Sequence, residues 1–234
     1  MVITIDGPAG SGKSTAARKL AARLEIPYLD TGAMYRAVAI KGLREGVDFR
    51  DGNALADVAR RADIRLDCGP THTRVILDGR DVSEAARTME VSAVTNHVAK
   101  NQAIREILID KQRQVARQLG SVVTEGRDQG SVVFPEADVK FVLDAGVRKR
   151  AERRYVELTA DGQDVTIEQV MANLNDRDGN DARQWAPLLV PGRAICIDTT
   201  DMTLADVVER LYQEVVARRT PASRGSADPP QASP

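Results

Sequence analysis

Aromatic side chains are scarce in this chain, at 3% of its residues, and histidine and cysteine number two each. A core with so few rings has to be built from Val, Leu, Ile and Ala, which suits a parallel sheet covered by helices. Cys68 and Cys196 stand far apart, without CxxC spacing or a paired histidine. That pattern gives no reason for zinc and leaves two reduced apolar fillers in a cytosolic protein. Charge of one sign is also lacking. With 33 basic residues against 34 acidic ones, no field recommends nucleic acid or a membrane as partner, and a compact ligand fits better. No apolar run approaches membrane-spanning length, and no basic-then-apolar leader precedes the first strand-like stretch. The expectation is a soluble, cytoplasmic monomer acting on a small molecule. A chain of 234 residues with 42% hydrophobic content can bury the core of one large domain or two small ones.

What is present begins at residue 3, with "ITIDGPAGSGKSTAARKL". Gly7, four residues, then Gly12, Lys13 and Ser14 form the GxxxxGK[ST] pattern of a phosphate-binding loop. Its context agrees: Val2, Ile3 and Ile5 read as a buried strand, while Ala17, Leu20, Ala21 and Leu24 recur at helical spacing. Gly7, Gly10 and Gly12 let the backbone turn successive N–H groups into one nest at the positive end of the helix. Lys13 adds a charge that can reach the β- and γ-phosphates, and the Ser14 hydroxyl is placed to ligate a Mg²⁺ bridging them. The bland alternative is a glycine-rich turn that merely reverses the chain. Strand, helix, lysine and hydroxyl together argue against it. The whole loop, Gly7, Pro8, Ala9, Gly10, Ser11, Gly12, Lys13, Ser14 and Thr15, is therefore expected to hold ATP.

Farther along, "IPYLDTGAMYRAVAIKGLREG" reads as a second strand-to-helix unit capped at Asp30 or Thr31. A short helix is predicted over 53–62, and "DIRLDCGPTHTRVILDG" reads as two alternating strands about Gly69 and Pro70. Helices are predicted over 88–98, 103–119, 147–159, 167–175 and 204–218, with buried strands at 122–124, 139–143 and 195–197. Strands alternating with helices imply a parallel, doubly wound sheet with its ligand at the carboxyl ends of the strands. The stretch from 220 to 234, "TPASRGSADPPQASP", is rich in proline and has no large apolar residue, so it reads as a disordered tail.

A phosphate loop fits a GTPase switch, an ATP-driven machine or a small-molecule kinase. No NKxD is present to read guanine, and no LSGGQ-like signature suggests a transport ATPase. A kinase needs positive charge on the acceptor side, because two anions must approach while charge spreads over the transferred group. Arg36, Arg127, Arg148, Arg150, Arg153, Arg154, Arg177 and Arg183 supply it, and arginine's planar fork matches phosphate oxygens. Arg148 and Arg150 read equally well as solvated helix charges.

"VITIDGPAGSGKST", "YLDTGAMYR", "RDVSEAARTMEVS", "REILIDKQR", "TEGRDQGSVVFPEADVKFVLDA", "RAERR" and "APLLVPGRAICIDTTDMTL" occur in the order seen in bacterial cytidylate kinase, and the resemblance covers residues 2 to about 218. It implies the reaction of ATP with CMP or dCMP, with Mg²⁺. It also implies an α/β nucleoside monophosphate kinase domain over 1–219: a parallel, doubly wound P-loop kinase sheet with helices on both faces. A small β-hairpin insert at about 60–85 enlarges the monophosphate region, and a short lid lies at about 150–183. By resemblance, Thr31 bonds the base, Arg36 holds the acceptor's α-phosphate, Arg105 reads cytosine, and Tyr35 stacks or packs nearby. Glu125, Arg127 and Asp128 serve the acceptor side, Glu125 through Mg²⁺ waters or by orienting the acceptor. Arg153 and Arg154 attend ATP, and Lys13, Arg127, Asp128 and Arg177 are the expected catalytic set. The family usually shows an Asp, two residues and an Arg before "APL"; here Asp181 and Arg183 are one residue closer, and Asn180 is an alternative acceptor. Asn96, beside Thr95, takes the place of the family's serine near the ribose. A broader UMP/CMP kinase, a shikimate-type kinase and a P-loop switch remain as alternatives.

Overall fold

The computed structural model describes residues 1–160 and 162–219, so the expected tail from 220 to 234 lies outside the described residues. Alternating apolar β-branched residues make β1 (Val2–Asp6), with Ile3 and Ile5 fully buried. The phosphate loop follows, then α1 (Lys13–Leu24), β2 (Tyr28–Asp30), α2 (Thr31–Arg44) and α3 (Gly52–Arg61). A three-stranded antiparallel sheet comes next: β3 (Ile64–Cys68), β4 (Thr73–Leu77) and β5 (Arg80–Asp81). The chain continues through α4 (Met89–Lys100), α5 (Gln102–Leu119), β6 (Val122–Glu125), β7 (Val139–Asp144), α6 (Val147–Ala160), α7 (Ile167–Trp185), β8 (Ile195–Asp198) and α8 (Leu204–Arg219).

The main sheet is parallel throughout, in the order β2-β6-β1-β7-β8. β1 lies at its centre, with Ile5 opposite Glu125 of β6 on one side and Phe141 of β7 on the other. The chain leaves β1 toward β2 and β6, then crosses to β7, so a crevice opens at the carboxyl end of β1 where these connections part. On one face Ala16, Ala17, Leu20 and Ala21 of α1 pack with Val207, Leu211 and Val215 of α8 against the sheet. Ala116 of α5 joins Leu29 and Val122 in a separate apolar cluster.

Three local features differ from the sequence expectation. The insert has a third strand, because Asp78 (φ 50°) and Gly79 (φ 78°) turn the chain back after β4. Consecutive left-handed residues of the Asp-Gly type are the signature of a tight hairpin turn. The insert is tied to β2 by Tyr28 N–H donating to Gly69 O (3.0 Å) and Thr73 Oγ1 donating to Tyr28 O (2.7 Å). Secondly, α7 runs ten residues past the predicted end at 175, through Gly179, to Trp185. Tertiary contact overrides the weak propensity there: Trp185 is buried with Val142 and Leu188, and Ser131 Oγ donates to Gln184 O at 2.7 Å. Thirdly, residues 129–133 form one π-helical turn. Gly130 sits so tightly in it that a Cβ would lie 2.7 Å from Thr4 Oγ1.

The two cysteines part company. Cys68 is half-buried against the Leu29 cluster, with burial pushing its thiol up to about 11, and behaves as a filler. Cys196 is exposed, because alternation along β8 turns Ile197 inward and Cys196 outward.

Candidate active site

The phosphate loop is shaped by backbone that only glycine adopts easily. Gly7 (φ 137°) passes so close to β7 that a Cβ would lie 2.1 Å from Leu143 O, and Gly10 (φ 76°) and Gly12 (φ 88°) are also left-handed. Gly12 is the N-cap of α1 and offers no side-chain acceptor, so the first N–H groups of the helix remain available to an anion. Lys13 is 4% exposed and its Nζ donates to Pro8 O at 2.7 Å, which folds the charge back over the nest. A cleft of about 920 Å³ opens above, lined by Ala9, Gly10 and Gly12 through Thr15, with Arg36, Arg127 and Arg154 among its other walls. Glu157, Leu158, Gln163 to Val165, Gln169, Val170, Asn173 and Leu174 of the α6–α7 region complete it, with Arg154 Nη1 donating to Glu157 Oε2 at 2.8 Å.

Of the two arginines expected to attend ATP, only Arg154 lines this cleft. Arg153 braces its rim instead, donating from Nη2 to Thr199 O (2.6 Å) and from Nη1 to Thr199 Oγ1 (3.1 Å) and Ser11 O (3.4 Å). Arg150 is no solvated charge: it is 5% exposed, whereas the Arg148 side chain is 85% exposed beside Glu152. Positions two apart on a helix face different ways, so adjacent members of an arginine cluster meet opposite environments.

Beside Lys13 stands an oxygen pair. Ser14 Oγ donates to Glu125 Oε1 at 2.9 Å, and the buried Tyr28 hydroxyl reaches the same oxygen at 3.4 Å. Burial and the neighbouring carboxylates of Glu125 and Asp30 push the Tyr28 phenol well above its usual range, so it stays a donor. Among the described residues no group of three or more His, Cys, Asp or Glu gathers to cage a metal. A hydroxyl and one carboxylate nevertheless fit Mg²⁺, which keeps several waters and takes other ligands from substrate phosphates.

The acceptor residues form a second group. Asp30 caps α2, accepting from Ala33 N–H at 3.0 Å, and with its other oxygen holds Arg36 Nη2 at 2.8 Å. Thr31 Oγ1 donates to Glu125 O at 3.0 Å, leaving its lone pairs to accept from an amino group. Arg105 of α5 pairs with Asp128, and both act on the Tyr35 hydroxyl, which burial pushes up to about 12 and which bonds Gln112. Tyr35 is thus a neutral packing residue within that cluster. Asn96 is exposed on α4, and Thr95 spends its hydroxyl on Val91 O at 2.6 Å. Arg183 is exposed on α7. Neither Asn96 nor Arg183 is among the residues lining the cleft. Arg177, Asn180 and Asp181 also fall on α7, and their side chains lie outside those described.

One buried carboxylate escaped the sequence reading. Asp6 ends β1 fully buried, accepting from Gln129 N–H (2.8 Å) and Gly130 N–H (2.7 Å), so it holds the π-helical turn that follows Arg127 and Asp128. Burial raises its carboxyl to about 6; the two N–H bonds and Lys13 oppose the rise, and Asp128 adds to it. The available signal was an acidic residue closing an otherwise apolar strand immediately before the glycine-rich loop.

A family model described as cytidylate kinase matches residues 3–217. This chain belongs to the cytidylate kinase family. It is 48% identical over 214 residues to the cytidylate kinase of Caldanaerobacter subterraneus subsp. tengcongensis, covering 91% of this chain and 93% of that one. With the cytidylate kinase of Syntrophotalea carbinolica it shares 43% identity over 231 residues, 97% of this chain and 98% of the other. In fold it is similar to a solved protein from Eubacterium ventriosum, described as uncharacterized, with a TM-score of 0.51 at 14% identity, covering 93% and 99% of the two chains. The cytidylate kinase match spans nearly all of the described residues, including the phosphate loop, the insert and both helices of the α6–α7 pair.

Proposed function

We propose that the chain transfers the γ-phosphoryl group of ATP to CMP or dCMP, giving ADP and CDP or dCDP. One observation carries this beyond the family match. Arg36, Arg127 and Arg154 come from three separate elements yet line the same cleft as Lys13 and Ser14, which supports a second phosphate-bearing substrate beside the loop. A hydrolytic switch completes its site with an arginine finger, whereas three arginines beside the loop leave partners for a second phosphate as well. In this reading the loop N–H groups and Lys13 hold the β- and γ-phosphates, Arg36 holds the acceptor phosphate, and Arg127 and Arg154 meet charge that spreads over the group in flight. Ser14 and Glu125 would hold Mg²⁺, whose chemistry when bound is to neutralise the phosphate oxygens. Arg105 and Asp128, with Thr31, would form the cytosine-facing wall, and Arg177, Asp181 and Arg183 are assigned to the acceptor side by the family resemblance.

Cytosine offers an N4 amino donor beside N3 and O2 acceptors, whereas uracil presents the opposite pattern at two of these positions. A wall built to pair with one pattern leaves its own polar groups unpaired with the other. The test is a coupled ADP-release assay with CMP, dCMP, UMP, AMP and shikimate. CMP should exceed UMP and AMP by at least ~10²-fold in kcat/KM. Comparable use of UMP would move the assignment to a broader pyrimidine kinase, and slow ADP release whatever the acceptor would support a switch.

A further inference from the structure

Arg150 has no part in the ligand sites above, yet it is the most deeply held guanidinium of the arginine-rich helix α6. Its Nε donates to Ala145 O at 2.8 Å and its Nη1 to Ala9 O at 3.1 Å. The fork then closes bidentately on Asp178 of α7, Nη1 to Oδ1 at 3.1 Å and Nη2 to Oδ2 at 2.5 Å. One side chain therefore joins the loop after β7, the apex of the phosphate loop and the second helix of the lid region.

The contact with Ala9 matters for phosphate binding. In a trans peptide the C=O and the following N–H point in opposite directions, so fixing Ala9 O toward Arg150 turns the Gly10 N–H away from it. Gly10 lies against the same residue: a Cβ there would sit 3.0 Å from Arg150 O and 3.1 Å from Arg150 Cβ. Apolar packing runs alongside, since Ala9 is buried with Ala151 of α6 and with Val170 and Leu174 of α7. The shape of the loop apex and the seating of α7 thus depend on one set of contacts. A surface ion pair would carry little weight, but a guanidinium taken out of water keeps its place only while its acceptors are present.

We propose that Arg150 and Asp178 are positioning residues for phosphoryl transfer, a clamp that docks α7 onto the phosphate loop when that loop has its phosphate-holding shape. The inference rests on the kinase reading above. Without the clamp, ATP still finds Lys13, Ser14 and the loop N–H groups. What is lost is the placement of α7 over the reacting phosphates and the exclusion of water there.

Asp178→Asn removes the charge with little change in size, at a side chain that is 26% exposed. It should lower kcat with CMP by about 10- to 10²-fold, the scale on which a small misplacement acts. The KM for ATP should stay within about threefold, as expected when ground-state binding is intact. The share of ADP released without CMP should rise, and hydrogen exchange over 167–185 should quicken in the presence of a non-hydrolysable ATP analogue. Asp178→Glu, which keeps the charge, should recover most of kcat. The double variant Arg150→Met with Asp178→Asn leaves no buried charge, so it should regain stability in urea unfolding without regaining kcat. The proposal is overturned if Asp178→Asn keeps its kcat, or if the double variant recovers kcat together with stability. Should the unaltered protein make no CDP, the kinase reading fails by itself. The clamp is still tested by exchange over 167–185, which must quicken in Asp178→Asn for it to stand.

Discussion

Asp6→Asn should narrow the protein's stability differently at two pH values, and the direction follows from where the carboxyl sits. Asp6 is fully buried and accepts two backbone N–H groups, one on each oxygen. An amide has one oxygen, so one N–H loses its acceptor and faces an NH₂ group, a cost of about 1–3 kcal/mol at any pH. The carboxyl carries its own cost when ionised. Its folded value of about 6 stands above 3.8, so below 3.8 both states hold the proton and no penalty exists. Between 3.8 and about 6 the unfolded chain releases the proton while the folded chain keeps it, and stability falls as pH rises through that window. Above it the penalty levels off at about 3 kcal/mol, at roughly 1.4 kcal/mol per tenfold in proton affinity. Integrated from pH 4.5 to 7.5, the ionisation removes about 2 kcal/mol from the unaltered protein and nothing from the Asn variant. Since ionisation already costs about 1 kcal/mol at pH 4.5 and about 3 kcal/mol at pH 7.5, the unaltered protein should lead by up to about 2 kcal/mol at pH 4.5 and should match or trail the Asn variant at pH 7.5. Urea unfolding of both proteins at the two pH values, without nucleotide and at one ionic strength, measures the gap. A stability difference, unaltered minus Asn variant, that is constant within about 0.5 kcal/mol or that rises toward pH 7.5 would refute the buried-carboxylate reasoning.

Lys13→Ala should lower kcat by about 10²- to 10³-fold with a smaller effect on the KM for ATP, because the lost charge acts mainly as the phosphoryl group moves; unchanged turnover in steady-state assays would remove the loop assignment. Gly7→Ala should destabilise the fold by more than about 3 kcal/mol, or prevent folding, since the new Cβ would meet Leu143 O at 2.1 Å on a left-handed backbone. A thermal midpoint equal to that of the unaltered protein would contradict the geometry at the end of β1. Arg183→Ala should erode the preference for CMP over UMP while leaving the KM for ATP within about twofold. A preserved preference would assign base reading to Arg105, Asp128 and Thr31 alone.

The strand–loop–helix unit at residues 2–24 was legible because its requirements are local. Glycines at 7, 10 and 12 take backbone angles that other residues avoid, and the apolar period changes from two to 3.6 across them. The central strands were legible for a related reason, since a strand buried on both faces leaves an apolar run such as Phe141, Val142 and Leu143 within β7. The second half of α7 was not. Its residues are mostly polar and include Gly179, and what holds it helical is a buried tryptophan and partners more than 25 positions away in sequence: Arg150, 28 away from Asp178, and Ser131, 53 away from Gln184. The π-helical turn at 129–133 depends likewise on Asp6, 123 residues before it, so no window of sequence around the turn contains its cause.

The site divides along the same line. The residues proposed for phosphate could be named because phosphate recognition uses a few residue types at short spacing, and Lys13, Ser14, Arg36, Arg127 and Arg154 do line one cleft. Residues that hold those groups in place are invisible to spacing, since each is defined by a partner distant in the chain. Asp30 orients Arg36, Asp6 anchors the turn beside Asp128, and Arg153 ties Ser11 to Thr199. Arg150 shows the limit most clearly. From sequence it is one of four arginines within seven residues, interchangeable with Arg148; in the fold it alone reaches the phosphate loop and α7 together. A cluster of like charges in a sequence therefore has to be divided position by position, by which way the helix turns each side chain, before any member is given to the substrate.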